Sequence, residues 1–306
     1  MRKTISLVLV LVLSVVMEQA NADFTFSEPT NLGQTINSAS SEPAACISAD
    51  GLSIFFTSYN RPGGSGSDDL WVSIRATIDD PWGEPVNLGP EVNSSSPDGY
   101  SSISADGLTL YFSANNRPGG QGQDDIWMTT RATTDDDWGK AVNLGPPVDS
   151  SGREFSQGIS SDGLTLYFSS TKYGGSGNSD LWMSTRAATN DNWFSPVNLG
   201  STVNSSGYDW MPSISSDGHT LFFESERSGG FGDSDIWMTR RDTSEGGWTT
   251  PVNLGDAING SAYDGSPSIS ADGLILYFSS NRPGGSGNRD LWQVSIEPAC
   301  DLNRAC

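Results

Sequence analysis

The stretch Ile103-Ser104-Ala105-Asp106-Gly107-Leu108-Thr109-Leu110-Tyr111-Phe112-Ser113 recurs through this chain of 306 residues, with further copies beginning at Ile47, Ile159, Ile214 and Ile269. The Asp-Gly dipeptides fall at Asp50, Asp106, Asp162, Asp217 and Asp272, a period of 55 or 56 residues. Each copy is followed by a glycine-rich loop and an Asp-(Leu/Ile)-Trp segment, centred on Trp71, Trp127, Trp182, Trp237 and Trp292. Self-similarity at a fixed period of this length marks a repeat architecture, and it governs the reading of every local motif.

Within one repeat the pattern predicts four short strands. The first runs into Ile-Ser-x-Asp-Gly, as in Pro212 to Ser216, and the Asp-Gly pair favours a tight hairpin turn because glycine accepts positive φ. The second, as in Leu110 to Ala114, is rich in the β-formers Leu, Tyr and Phe. The loop from Asn116 to Gly122 breaks regular structure, the third strand covers Asp125 to Arg131, and a polar connection through Trp138 leads to a fourth at Val142-Asn143-Leu144-Gly145. No segment carries a sustained helical period. Such blades cannot bury both faces alone and must pack on one another, which predicts an all-β, five-bladed β-propeller with four-stranded antiparallel blades over residues 23–298. The last repeat stops before its fourth strand, while Pro29-Thr30-Asn31-Leu32-Gly33 matches Pro251-Val252-Asn253-Leu254-Gly255 and has no blade of its own. Pairing that N-terminal strand beside Asp290 to Ile296 would close the ring and remove open sheet edges.

Ile-Ser-x-Asp-Gly-x-x-Leu-Tyr-Phe-Ser-Ser followed by Asp-Leu-Trp resembles the TolB-type, WD-like β-propeller repeat, and the linking Pro-Val-Asn-Leu-Gly resembles the version found in exported and envelope proteins of bacteria. The resemblance covers nearly all of residues 23–298. It implies a propeller of a family whose members often serve as binding platforms. It implies no one substrate, because function is grafted onto such folds.

Residues 1–22 read as a signal peptide: Arg2 and Lys3 precede an apolar run from Thr4 to Val16, and Ala20-Asn21-Ala22 forms a cleavage site. The run is too short to span a bilayer as a helix, and no cysteine follows it, so an exported, periplasmic or extracellular protein without a lipid anchor is expected. Without Arg2, Lys3 and Glu18 the chain keeps 14 basic and 36 acidic residues, a net charge of −22. That balance argues against nucleic acid as a partner and against membrane insertion or anionic membrane surfaces. Cys46 stands in a first strand, and Cys300 and Cys306 in a tail of residues 299–306; three cysteines leave the pairing open.

Five residues before each first-strand isoleucine stands an acid, Glu42, Asp98, Glu154, Asp209 or Asp264, and at the end of each second strand a base, Arg61, Arg117, Lys172, Arg227 or Arg282. The hairpin brings the two columns to the same end. They read either as an internal ion pair in every blade or as a carboxylate ring at the channel mouth able to bind a ligand. An active site is asymmetric, so departures from the repeat are the more informative. Glu224 stands where the other repeats have Thr57, Ser113, Ser169 and Ser279, and a carboxylate there is expected to need a partner, Arg227 or Arg240. Arg153, Tyr208, Trp210 and Met211 also break the pattern, with Trp210 a candidate platform for stacking a sugar, and Tyr100 and Tyr263 lie near the same rim.

The loops before Asp68 and Asp124 match a calcium nonapeptide pattern weakly, without the nine-residue period that stacks such sites. The aspartates before Leu/Ile-Trp are expected instead to cap the glycine loops through backbone amides. The lone histidine, His219, excludes a multi-histidine zinc site and disfavours a histidine-based triad. The sequence therefore predicts an exported binding module for a glycan or an extracellular or envelope protein, needing no cofactor. The alternative is a glycoside hydrolase that uses two of Glu224, Asp209 and Glu154.

Overall fold

The computed structural model describes residues 24–172 and 175–298; the stretch read as a signal peptide, Cys300 and Cys306 lie outside them. After β1 (Phe24–Phe26) and β2 (Thr30–Asn31), the chain builds blade after blade as an antiparallel meander. The first blade holds β3 (Ser41–Ile47), β4 (Ser53–Tyr59), β5 (Asp68–Ile74) and β6 (Val86–Asn87). The second holds β7 (Asp98–Ile103), β8 (Thr109–Asn115), β9 (Asp124–Thr130) and β10 (Val142–Asn143). The third holds β11 (Glu154–Ile159), β12 (Thr165–Ser170), β13 (Asp180–Thr185) and β14 (Val197–Asn198), and the fourth β15 (Asp209–Ile214), β16 (Thr220–Ser225), β17 (Asp235–Arg240) and β18 (Val252–Asn253). The fifth, β19 (Asp264–Ile269), β20 (Ile275–Ser280) and β21 (Asp290–Pro298), is completed by the N-terminus, as expected: Thr30 stands opposite Gln293 and Asn31 opposite Trp292. The outer strand of this blade is in two pieces, because β1 also pairs with β21, Phe26 opposite Ile296.

The repeated motif explains the hairpins. In Ser48-Ala49-Asp50-Gly51, the Ser48 hydroxyl donates to Asp50 Oδ1 at 2.6 Å, the same oxygen accepts the Leu52 amide at 2.9 Å, and Gly51 turns the chain at φ 72°. The motif's other copies make the same bonds.

Five apolar clusters sit between blades, one at each junction, and each joins residues of two neighbours. Phe55 and Leu70 meet Leu110, Phe112 and Trp127; Tyr277 and Leu291 meet Ile54, Phe56 and Trp71, which closes the ring. Fully burying one such side chain stabilises by roughly 1.5–3 kcal/mol, so the ring is held by its junctions rather than by any single blade. At the outer side Arg75, Arg131, Arg186 and Arg241 each donate to a turn-glycine carbonyl at 2.8–2.9 Å and stack on Trp82, Trp138, Trp193 and Trp248 at 4.3–4.5 Å. The fifth blade has Ile296 at that position and no following tryptophan; Phe24 and Phe26 pack there instead.

The innermost strands β3, β7, β11, β15 and β19 line a central channel, whose end at the Asp-Gly turns holds a cavity of about 110 Å³. Cys46 lies in that wall, buried and without a disulfide among the described residues, 3.4 Å from the Ser101 hydroxyl, and burial pushes its thiol up to about 12.

Candidate functional site

The two repeated columns meet as the hairpin requires. Arg117 reaches Asp98 at 2.9 Å, Arg227 reaches Asp209 at 2.5 Å, Arg282 reaches Asp264 at 2.6 Å and Arg61 reaches Glu42 at 3.8 Å. Each base also lies over the tryptophan of its own third strand, at 4.7–5.8 Å. In the third blade the base is Lys172, and Glu154 is held instead by Ser150 and by the Ser170 hydroxyl at 2.8 Å. All five acids are wholly buried. Their oxygens accept from loop serines four residues upstream or from amides there, as Glu42 does from Ser38. The column thus forms internal pins between strand and loop. Of the two readings of Glu42, Asp98, Glu154, Asp209 and Asp264, the internal one fits this burial, and the column offers no free oxygen to a ligand as a carboxylate ring would.

The start of each innermost strand carries a register shift two residues after the acid, and in four of the five the chain there adopts left-handed backbone at non-glycine residues: Tyr100, Ser156, Met211 and Ser266, at φ 51–55°. Such residues are costly and persist where surroundings over-determine them. At Tyr100, Ser156 and Ser266 the neighbouring blade accepts the amide. Thr57 Oγ1 accepts the Tyr100 amide at 2.8 Å and Ser113 Oγ accepts the Ser156 amide at 2.8 Å.

Glu224 occupies this same bridging position. Its Oε2 accepts the Ser266 amide at 3.1 Å and the Tyr263 hydroxyl at 2.7 Å, and its Oε1 accepts the Ser234 hydroxyl at 2.8 Å. The expected partner Arg227 is engaged with Asp209, and Arg240 lies over the Phe24 ring at 4.5 Å. Glu224 is therefore a junction pin whose hydrogen-bond donors are neutral, its carboxyl pushed up by burial with those bonds and the Arg289 charge opposing. Room for it comes from Gly265, where a Cβ would overlap Oε2. Above it, the Arg289 guanidinium stacks on Tyr263 at 3.7 Å.

The positions at which blades differ converge on one end of the channel. A cavity of about 240 Å³ opens there, lined by Asp68, Tyr100, Asp124, Arg153, Phe155 and Trp210 among others. Arg153 joins the second and third blades: it is ion-paired to Asp124, which also accepts from Asn115 at 2.6 Å, and it lies over the Phe155 ring at 5.2 Å. Trp210, half-buried, meets Phe155 edge-on at 6.2 Å and Tyr208 at 4.9 Å. The Tyr100 hydroxyl is pushed up to about 12, by burial first and then by the negative charges of Asp68, Glu224 and Asp124, with Arg289 opposing. Burial and the nearby Asp69 and Asp98 push Asp68 up to about 6.

Of the residues singled out from sequence, this cavity gathers Tyr100, Arg153, Trp210, Asp68 and Asp124, with Tyr208 behind Trp210; Tyr263 stands with Glu224 at the fourth junction. Asp68 and Asp124 were expected to matter only as loop calcium ligands. As expected, the loop amides go to the aspartates before Leu/Ile-Trp: Asp69 accepts from Ser65 at 2.6 Å and Asp125 from Gln121 at 3.0 Å. Phe155 was missed. Its signal was legible, since it stands where Gly99 and Gly265 occupy other blades.

No family model matches the chain, and no curated protein matches it either. Solved structures do. TolB from Acinetobacter baumannii superposes with a TM-score of 0.50 at 15% identity, over 83% of this chain and 54% of that one. This chain thus spans about half the length of that TolB. An α-L-arabinofuranosidase from Lactobacillus brevis gives a TM-score of 0.57 at 15% identity, covering 86% and 92% of the two chains. The arabinofuranosidase PaAbf62A from Podospora anserina, solved with cellotriose, gives 0.55 at 14% identity, covering 89% and 95%. At these identities the likeness is one of fold, and in fold the chain is a TolB-like five-bladed β-propeller.

Proposed function

We propose that the chain is an exported binding module, periplasmic or extracellular, that takes a glycan at the channel mouth. The supporting observation is the convergence of the repeat-breaking residues on one cavity. There Trp210 and Phe155 supply apolar ring surface, and Asp68, Asp124 and Arg153 supply hydrogen-bonding groups. An apolar wall with a few convergent polar groups is the usual build of a small-ligand site. A sugar presents the same two faces, C–H patches and hydroxyls. An extracellular or envelope protein would have to insert a side chain into the same cavity.

A second reading, glycoside hydrolysis, draws on the two carboxylates in the cavity wall. Asp68, held up at about 6 by burial, is suited to donate a proton near neutral pH, and Asp124 is the second acid. Asp209, Glu154 and Glu224 leave this role, being buried in internal networks.

The test is to screen the purified protein against a panel of polysaccharides for binding and, in parallel, for release of reducing ends. Binding without release supports the module. Release lost in both Asp68→Asn and Asp124→Asn makes the protein a hydrolase. Neither binding nor release across the panel contradicts the glycan reading.

A further inference from the structure

Asp68 and Asp124 hold equivalent places in adjacent blades, at the start of the third strand. Asp124 is fully provided for. Asn115, opposite it on β8, donates at 2.6 Å, and Arg153, from the next blade, supplies a guanidinium. The equivalents for Asp68 are Tyr59, opposite it on β4, and Pro97 in the next blade. Pro97 has no side-chain donor, the Tyr59 hydroxyl makes no bond to Asp68, and no hydrogen bond or ion pair reaches the Asp68 carboxylate among the described residues. Asp68 is nevertheless partly buried, in the same cavity wall as Pro97, Tyr100, Phe155 and Trp210. A carboxylate taken from water without a counter-charge is costly. Its neighbour shows what this position accommodates when filled, namely a cation from the adjoining blade. The aromatic rings around the opening also attract a cation rather than an anion.

Resting on the glycan reading, we propose that the cavity selects a sugar with a free, non-acetylated amino group, whose ammonium pairs with Asp68 in the place Arg153 takes beside Asp124. The remainder of the ring would lie toward Phe155 and Trp210. The groups facing Asp68 are Asp69, Asp98, Asp124, Tyr100 and Arg153, so the field there is negative on balance and an acidic sugar is disfavoured. Pairing needs Asp68 ionised and the amine protonated. Because burial holds Asp68 at about 6, affinity should fall about tenfold per pH unit below that value. It should fall again at higher pH as the amine loses its proton.

The experiment compares β-1,4-linked glucosamine oligomers with N-acetylglucosamine oligomers of equal length by titration calorimetry, on the parent chain, Asp68→Asn and Pro97→Arg. The expected result is at least tenfold tighter binding of the free-amine oligomer, with that preference lost in Asp68→Asn at a melting temperature no lower than the parent's. Pro97→Arg, which offers Asp68 an internal cation, should lose it as well. Equal or tighter binding of the acetylated oligomer overturns the proposal and leaves the glycan reading standing. Binding of neither oligomer, with other neutral glycans bound in a Trp210-dependent way, does the same. Binding of a lysine-bearing peptide in an Asp68-dependent way, with no sugar bound, overturns both.

Discussion

Glu224 shows how one residue can look catalytic in sequence and prove structural in place. It replaces the hydroxyl that Thr57 and Ser113 use to hold the next blade's bulge, and its longer side chain recruits Tyr263 and Ser234 as well. Glu224→Ala should cost about 2–4 kcal/mol in chemical denaturation, because three buried donors lose their acceptor. Glu224→Ser should recover part of that, about 1 kcal/mol, by restoring a hydroxyl acceptor for the Ser266 amide. Equal loss in the two variants would contradict the bridging role. Asp149 is a second exception. Asn37, Asn93, Asn204 and Asn259 each accept a third-strand amide and donate back to that residue's carbonyl, for example Asn93 with Leu70 at 2.9 Å for both bonds. Asp149 accepts the Ile126 amide at 2.9 Å but when ionised has nothing to donate. Its carboxylate also lies within 4.8 Å of Asp125 and Glu154, and burial with those charges pushes it up to about 7. A carboxyl raised in the folded state favours folding while protonated, and that contribution is lost as pH rises through about 7. Asp149→Asn should therefore stabilise the protein more at pH 8 than at pH 6, by about 1 kcal/mol. A pH-independent gain or a loss would contradict this.

At the scale of elements, the strands legible in the sequence were those whose pattern repeats. The Asp-Gly hairpins, the Asp-Leu/Ile-Trp strands and the closing strand at Thr30–Asn31 all stand where expected. Two features escaped. β1 covers three residues directly after the expected cleavage site and belongs to no repeat, so periodicity could not reveal it. The bulges escaped because positive φ was expected at the turn glycines, whereas Tyr100, Ser156 and Ser266 adopt it where Thr57, Ser113 and Glu224 of the preceding blade accept their amides. β1 gives a direct test. Phe24 and Phe26 fill the place that an arginine–tryptophan stack occupies in other blades. Replacing both by alanine should cost about 2 kcal/mol for each half-buried ring, read as a lower denaturation midpoint. An unchanged midpoint would mean that β2 alone closes the ring.

On the scale of the whole molecule, the propeller divides labour between repetition and deviation. The repeated columns, acid to arginine to tryptophan, point inward and build the scaffold, which is why a ring of five acids on paper becomes five buried pins in space. The deviating residues come from different blades and lie far apart in sequence, and only closure of the ring brings Asp68, Tyr100, Asp124, Arg153, Phe155 and Trp210 to one opening. Sequence could list most of these as exceptions. It could not show that Asp68 lacks the partners of Asp124, because that depends on which blade faces which.

The most direct measurement is a calorimetric titration of the tightest-binding oligosaccharide from the panel into the purified protein and into Trp210→Ala, both checked for unchanged melting. A ligand seated at the channel mouth predicts at least tenfold weaker binding by the variant, in line with roughly 1–3 kcal/mol for a lost stacking face. Unchanged affinity in Trp210→Ala would place the ligand elsewhere and contradict the account.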